Sequence, residues 1–231
     1  MDLWRAILFA SAPGLLFLWL FWKRDSDREP KLLVLKLFAL GAVFAAPAYF
    51  LEGWLPGPTS RLYDNFVRVS LVEELMKLLP FLLFARRHRE FQGPMDGIVY
   101  AVAVALGFAT VENALYAKAF GNDVIVLRAF TSTLAHLAFS GLWGYAFGLR
   151  RRPVPAFAAG VALHGAYDLL LSPGAPHLLA LGALLPALLF VLYLAVRSAN
   201  RHATGSAASA TSSMKKATTP MPTCNDLASR R

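Results

Sequence analysis

Apolar residues occupy this chain in long blocks that are separated by short polar gaps. The blocks number seven and lie at about 3–22, 31–51, 66–85, 96–118, 126–149, 154–171 and 177–197. Most are close to the roughly 20 residues that a helix needs to cross a bilayer. The pattern predicts an all-α, polytopic helical membrane protein with about seven transmembrane helices in one domain, residues 1–197.

The two ends of the chain differ from the blocks between them. Lys23 and Arg24 follow the first block rather than precede it, and no small-residue cleavage site closes it. We therefore expect a retained helix rather than a signal peptide. The stretch 198–231 is rich in Ala, Ser and Thr and shows no apolar periodicity. We predict a disordered cytoplasmic tail there.

Basic residues favour one set of block ends. The gaps 22–31, 86–95 and 150–153, with the start of the tail, hold twelve Lys and Arg residues, whereas the opposite ends hold five. The side with more basic residues is expected to be cytoplasmic. With an odd number of spans, the N-terminus is then outside and the C-terminus cytoplasmic.

Composition agrees with this class: 57% of the residues are hydrophobic and 16% are charged, and the mean hydropathy is +0.49. The net charge of +9 does not indicate nucleic acid, because the basic residues cluster between blocks where membrane topology places them. The expected partner is the lipid bilayer. Cys224 is the single cysteine, so it forms no internal disulfide and matches no metal-ligand spacing.

Polar residues inside the blocks define the candidate site. They are Glu73, Glu74, Lys77, Glu112, Asn113, His136, Ser140, His164 and Asp168. A charged residue at the bilayer centre costs roughly 2.5–3.5 kcal/mol, so these side chains should share a polar interior. At 1.5 Å per residue, the predicted topology puts the acids and histidines about 5–15 Å below the outer surface. We expect one polar layer in the outer half of the bilayer.

Two imidazoles with several carboxylates are typical of metal-assisted hydrolysis. In this scheme His136, His164 and Asp168 bind a divalent metal such as zinc, and Glu73 or Glu74 is the general base. A metal-free scheme uses a glutamate as base and the histidines as oxyanion donors.

Other functions suit the same residues. The acids and histidines could pair to hold helices together. They could also form a proton or cation relay in a transporter, although the chain shows no inverted repeat and no matching pair of broken helices. A third alternative is a catalytically silent scaffold that binds membrane peptides.

Four motifs along the chain resemble those of a known family. EELMK contains Glu73, Glu74 and Lys77, FATVEN ends in Glu112 and Asn113, His136 follows, and HGAYD runs from His164 to Asp168. Their order is similar to the EExxK, FxxxEN, His and HxxxD motifs of the PrsW family of intramembrane proteases, which is distantly similar to the CAAX prenyl protease group. The resemblance covers about residues 68–171.

The resemblance implies a membrane-embedded endopeptidase, an integral multi-pass protein of the bacterial cytoplasmic membrane. It implies catalytic or metal-binding roles for the glutamates and histidines of the motifs and for Asp168. Lys77 would balance charge or orient a glutamate. The implied substrate is a membrane-anchored protein, such as an anti-sigma factor.

Overall fold

A computed structural model describes residues 3–24, 29–120 and 122–217, and every regular element in these ranges is helical. We number the continuous helical runs in chain order. The runs are α1 (Leu3–Arg24), α2 (Lys31–Trp54), α3 (Arg61–Tyr63, Asp64–Leu71, Val72–Pro80 and Phe81–Ala85), α4 (Pro94–Phe120), α5 (Asn122–Gly148), α6 (Pro153–Leu171) and α7 (His177–Leu179, Ala180–Leu184 and Leu185–Ala217).

Helix α4 is the centre of the molecule. In its most apolar stretch 83% of the residues are buried, against 22% to 28% in the apolar stretches of α2, α6 and α7. The side chains from Ile98 to Leu106 are all fully buried, as expected for a helix that is apolar all round. Helices α1, α2 and α5 pack against it.

Glycines let α4 approach its neighbours closely. A Cβ atom at Gly107 would lie 1.8 Å from the carbonyl oxygen of Phe38 in α2, and one at Gly97 would lie 2.2 Å from that of Gly144 in α5. Only a residue without a side chain permits these backbone contacts, and small residues are common where membrane helices meet.

Helix α3 alternates between α-helical and π-helical winding after its first turn, Arg61–Tyr63. It is π-helical over Asp64–Leu71, α-helical over Val72–Pro80 and π-helical again over Phe81–Ala85. Pro80 has no N–H to donate to the preceding turn, which explains the change that follows it. The α-helical turns between the two π segments carry Glu73, Glu74 and Lys77, and π segments frequently accompany functional sites.

The predicted blocks and the observed helices agree in order and in most boundaries. Helical stretches long and apolar enough to cross a membrane are Lys31–Trp54, Pro94–Ala119, Pro153–Leu171 and Leu181–His202. The prediction of an all-α, multi-pass membrane protein is confirmed for the described residues. The count of seven spans and the orientation of the termini stay predictions.

The single domain 1–197 and the disordered tail 198–231 stay predictions. Helix α7 continues to Ala217, and residues 218–231 lie outside the described residues. The extension contains several alanines, which have the highest helix propensity.

Candidate active site

Polar side chains from α3, α4, α5 and α6 meet in one buried cluster. The contacts described below join Glu73, Glu74, Lys77, Glu112, Asn113, His136, His164 and Asp168. Ser140 also reaches the cluster through its hydrogen bond to Glu74, so all nine candidate residues lie in the cluster or are linked to it. Their catalytic and metal-binding roles stay predictions.

The Lys77 ammonium lies at the centre of this cluster and is fully buried. Its Nζ donates to Glu73 Oε2 at 3.1 Å, Glu74 Oε1 at 2.8 Å and His136 Nδ1 at 2.7 Å. An ammonium group has three N–H donors, so these acceptors use all of them. Nζ also lies 4.5 Å from the centre of the Phe108 ring. One buried cation thus compensates the charges of two buried acids. Without this cation, burial of the two carboxylates would be costly.

The contacts of His136 determine its tautomer. Lys77 can only donate, so Nδ1 of His136 accepts, and Nε2 then carries the proton. Nε2 lies 2.7 Å from Glu112 Oε2 and donates to it. A carboxylate on the far side of an imidazole orients the ring and makes the other nitrogen a better electron-pair donor.

His164 is held by acids on both sides and by an aromatic ring. Its Nδ1 lies 3.1 Å from Glu74 Oε1 and its Nε2 lies 3.2 Å from Asp168 Oδ2. The imidazole stacks on Phe139, with ring centres 4.9 Å apart and planes inclined by 18°. These contacts leave the ring little freedom to turn.

Glu74 is fully engaged by its neighbours. Oε1 accepts from Lys77 and faces His164, while Oε2 accepts from Trp143 Nε1 at 2.9 Å and from Ser140 Oγ at 3.3 Å. A carboxylate has about four acceptor positions, and four groups occupy them here. Glu74 is therefore held in a position from which it can orient the His164 ring.

Both histidines point a ring nitrogen at Glu73. Its Oε2 lies 3.9 Å from His136 Nδ1 and 3.8 Å from His164 Nε2. The three residues offer donor atoms that all lie within 4.8 Å of one another, and all three residues are buried. Two ligands bound tetrahedrally at about 2.0–2.1 Å lie about 3.4 Å apart, so these three residues could hold a metal ion if their donor atoms moved closer together.

Arg128 was not identified from the sequence as a site residue. Its Nη2 donates to Glu112 Oε1 and, at 3.2 Å, to Ser132 Oγ. Its Nε donates to Asn113 Oδ1 at 3.2 Å, and the guanidinium lies 3.6 Å from the centre of the Tyr116 ring. Arg128 therefore holds both polar residues of the FATVEN motif.

A pattern in the sequence could have revealed Arg128. Positions 128, 132, 136 and 140 of α5 are Arg, Ser, His and Ser, spaced four apart along one helical face. The candidate residues predicted from the sequence cover only the second half of this stripe, His136 and Ser140.

Glu52 is a second residue near the site that was not predicted from the sequence. It lies near the C-terminal end of α2, is half-buried, and interacts electrostatically with Glu73 and Glu112. Its signal in the sequence is an acid close to the end of an otherwise apolar block.

The cluster comes nearest to the surface at one end. The side chains of Asp168 and Glu112 are 27% and 16% exposed, while those of Lys77 and Glu74 are fully buried. At this end α6 terminates and α3 begins, and Arg61 Nη1 donates to the Pro173 carbonyl oxygen at 3.0 Å. Water and substrate would therefore meet Asp168 and Glu112 first.

Comparison with known proteins identifies relatives of the chain. Residues 29–197 match the model of the PrsW family intramembrane metalloprotease. "Protease PrsW" of Geobacillus kaustophilus is 35% identical over 175 residues, which are 69% of this chain and 76% of the relative. "Protease PrsW" of Shouchella clausii is 31% identical over 205 residues, or 82% and 93% of the two chains.

"Protease PrsW" of Bacillus subtilis is 31% identical over 179 residues, which are 70% of this chain and 80% of the relative. No solved structure matches the chain. The matched region contains the whole buried cluster, so the family match and the site geometry concern the same residues. This multi-pass membrane protein therefore belongs to the PrsW family of intramembrane metalloproteases.

Proposed function

We propose that this protease hydrolyses a peptide bond of a membrane-anchored protein at the Glu73–His136–His164 group. The observation that carries the proposal is the convergence of two histidine nitrogens on Glu73 Oε2, at 3.9 Å and 3.8 Å. The two rings come from different helices, and each is oriented by a carboxylate of its own. A cluster that only tied helices together would not need this convergence.

The donor set suits a divalent metal such as zinc. His136 Nδ1, His164 Nε2 and Glu73 Oε2 would hold the ion, and two nitrogen ligands with one carboxylate are a common catalytic zinc set. Glu112 and Glu74 would orient the two rings from behind. When bound, the metal supplies Lewis-acid polarisation of the scissile carbonyl group and makes a water molecule more acidic.

In this proposal Asp168 moves the proton. It is the most exposed acid of the cluster, and its Oδ2 lies 3.2 Å from His164 Nε2. The water oxygen bonds to the carbonyl carbon, Asp168 takes the proton, and the C–N bond breaks as the proton passes to the leaving amine. This assignment exchanges the roles that the sequence suggested for Glu73 and Asp168, because Glu73 is the acid that lies close to both rings.

Two amide variants separate these roles. Glu73→Gln should lower both metal content and cleavage, whereas Asp168→Asn should keep the metal and lose most of the cleavage, since the amide cannot accept the proton. The measurements are zinc content of the purified protein and cleavage of a co-reconstituted single-span substrate. Asp64→Asn is the matched control, because Asp64 lies on α3 at the surface and pairs with Arg68.

If Asp168→Asn loses the metal and Glu73→Gln keeps it, the roles predicted from the sequence hold, with Asp168 as ligand and Glu73 as base. Full cleavage by Glu73→Gln and by His164→Gln would remove this cluster from the reaction. His177→Gln, which changes an exposed histidine, controls for the loss of an imidazole.

We propose a single-span protein such as an anti-sigma factor as substrate, with the cut in or near the outer half of the bilayer. The greater exposure of Asp168 and Glu112 supports entry from the end where α6 terminates, which the predicted topology places outside. A substrate helix is hydrogen-bonded internally, so its scissile bond must unwind, and this is easiest near a helix end.

Mass spectrometry of the product termini tests the position of the cut. A cut in the outer third of the substrate span, or just outside it, is expected. A cut in the cytoplasmic half would contradict the orientation, and cysteine accessibility in the 86–95 and 172–177 loops would locate the error.

A further inference from the structure

Both nitrogen atoms of His136 already have partners in the cluster. Nε2 lies 2.7 Å from Glu112 Oε2, and Nδ1 accepts from the Lys77 ammonium at 2.7 Å. A metal ligated by His136 must therefore replace one of these two partners. Nδ1 is the nitrogen that faces Glu73.

We propose that the Lys77 ammonium and the metal are alternative occupants of the same donor atoms, so that Lys77 must leave His136 Nδ1 before the site can bind its ion. This inference rests on the proposed function, because it takes the Glu73–His136–His164 group as the metal site. Lys77 would then be a resident cation that stabilises the cluster and lowers the affinity of the site for the metal.

The valence of the imidazole requires this exclusion. A neutral ring has one nitrogen that carries a hydrogen and one with a lone pair. Because Nε2 donates to Glu112, the lone pair is on Nδ1, and it cannot accept from Lys77 and coordinate an ion together. Glu73 Oε2 is shared in the same way, since it accepts from Nζ at 3.1 Å and lies 3.9 Å from His136 Nδ1.

Glu74 offers the Lys77 ammonium a partner outside the proposed metal site. It is bonded to Glu74 Oε1 at 2.8 Å, and Glu74 lies outside the group of mutually close donors formed by Glu73, His136 and His164. A rotation of the long, flexible Lys77 side chain toward Glu74 would free both shared atoms and keep the charge paired. The two cations would then share the cluster, with Glu74 serving one and Glu73 the other.

The consequence is a metal affinity lower than the donor set alone would provide. Lys77→Met removes the competing cation, keeps an unbranched side chain of similar length and leaves every proposed ligand in place. Zn²⁺ should then bind about tenfold more tightly or better, within the range that coupled sites commonly show. The full-length protein is measured in nanodiscs, by competition of Zn²⁺ with a chromophoric chelator.

A control variant and a second measurement keep the result interpretable. Lys36→Met makes the same change in α2, where Nζ lies 4.7 Å from the centre of the Phe84 ring, and should bind Zn²⁺ like the parent. If Lys77→Met is too unstable to purify, Lys77→Gln takes its place. For either variant the rise in melting temperature on adding Zn²⁺ should exceed that of the parent, since a ligand stabilises in proportion to its affinity.

Each outcome decides the inference. Tighter Zn²⁺ binding by the Lys77 variant, lost again when His164→Gln is added, supports it. Equal or weaker binding by a folded Lys77 variant overturns it and leaves the proposed metal site standing if the parent binds Zn²⁺. Binding by neither protein, with cleavage intact, overturns both this inference and the metal-assisted scheme, while protease activity itself is unaffected.

Discussion

Arg128 forms an ion pair with Glu112 Oε1, and the other oxygen of the same carboxylate accepts from His136 Nε2 at 2.7 Å. The guanidinium of Arg128 is thus linked through the Glu112 carboxylate to the imidazole of His136. The link makes Arg128 a positioning residue, because it contacts Glu112 and Asn113 rather than the group of converging donors.

Arg128→Gln should therefore lower the cleavage rate by about 10–100-fold, the usual effect of losing a group that supports a site ligand. Arg128→Lys should restore part of the rate, since an ammonium can still pair with Glu112. Combining Arg128→Gln with Glu112→Gln should cost little more than either change alone, because the two groups act as one unit. A fully additive double variant would show that Arg128 acts elsewhere. Arg68→Gln, at the surface pair with Asp64, is the control.

Trp143→Phe isolates the hydrogen bond from Nε1 to Glu74 Oε2, at 2.9 Å. Phenylalanine keeps most of the edge-to-face packing against Phe81 but leaves a buried carboxylate oxygen one donor short. The free energy of unfolding should fall by about 1–3 kcal/mol, measured by thermal or denaturant unfolding in detergent. Trp54→Phe changes an exposed indole and should leave stability unaltered. Equal stability of both variants would show that Glu74 does not depend on this donor.

Gly107→Ala should prevent normal packing of α2 on α4. The added Cβ would lie 1.8 Å from the Phe38 carbonyl oxygen, a backbone atom that cannot move without shifting the helix. The free energy of unfolding should fall by about 1–3 kcal/mol or more, as is typical of overpacking. Gly53→Ala is the matched control, since nothing lies within 4 Å of its added Cβ. The melting temperatures of the two variants and the parent are measured in the same detergent. Equal values for Gly107→Ala and the parent would contradict the close approach of the two helices.

Removal of metal should abolish cleavage without unfolding the protein. Lys77 pairs with Glu73 and Glu74, so it can act as counter-ion to the buried acids once the ion is removed. Dialysis against a chelator, followed by addition of Zn²⁺, should first remove and then restore activity, while circular dichroism stays constant. Full cleavage by protein verified to be metal-free would favour the scheme in which Glu73 is the base and the histidines stabilise the oxyanion.

The sequence alone determined the class, the order of the helices and the residues worth testing. Continuous hydrophobic blocks of about 20 residues indicate membrane-spanning helices, because a helix satisfies its backbone polar groups within its own segment. Ionisable residues inside such blocks are costly, so their positions made Glu73, His136 and His164 candidates for a functional site. These properties are local along the chain, and a single sequence contains them.

Only the tertiary structure decided which acid faces which ring. Helical spacing already places Lys77 beside both acids of α3, since it follows Glu73 by four residues and Glu74 by three. The close approach of Glu73 to both histidines, and the attachment of Arg128 to Glu112, depend on how α3, α4, α5 and α6 are rotated about their axes. Packing sets those rotations through contacts such as that between Gly97 and Gly144, and the hydrophobic pattern of a nearly uniformly apolar helix contains no information about them.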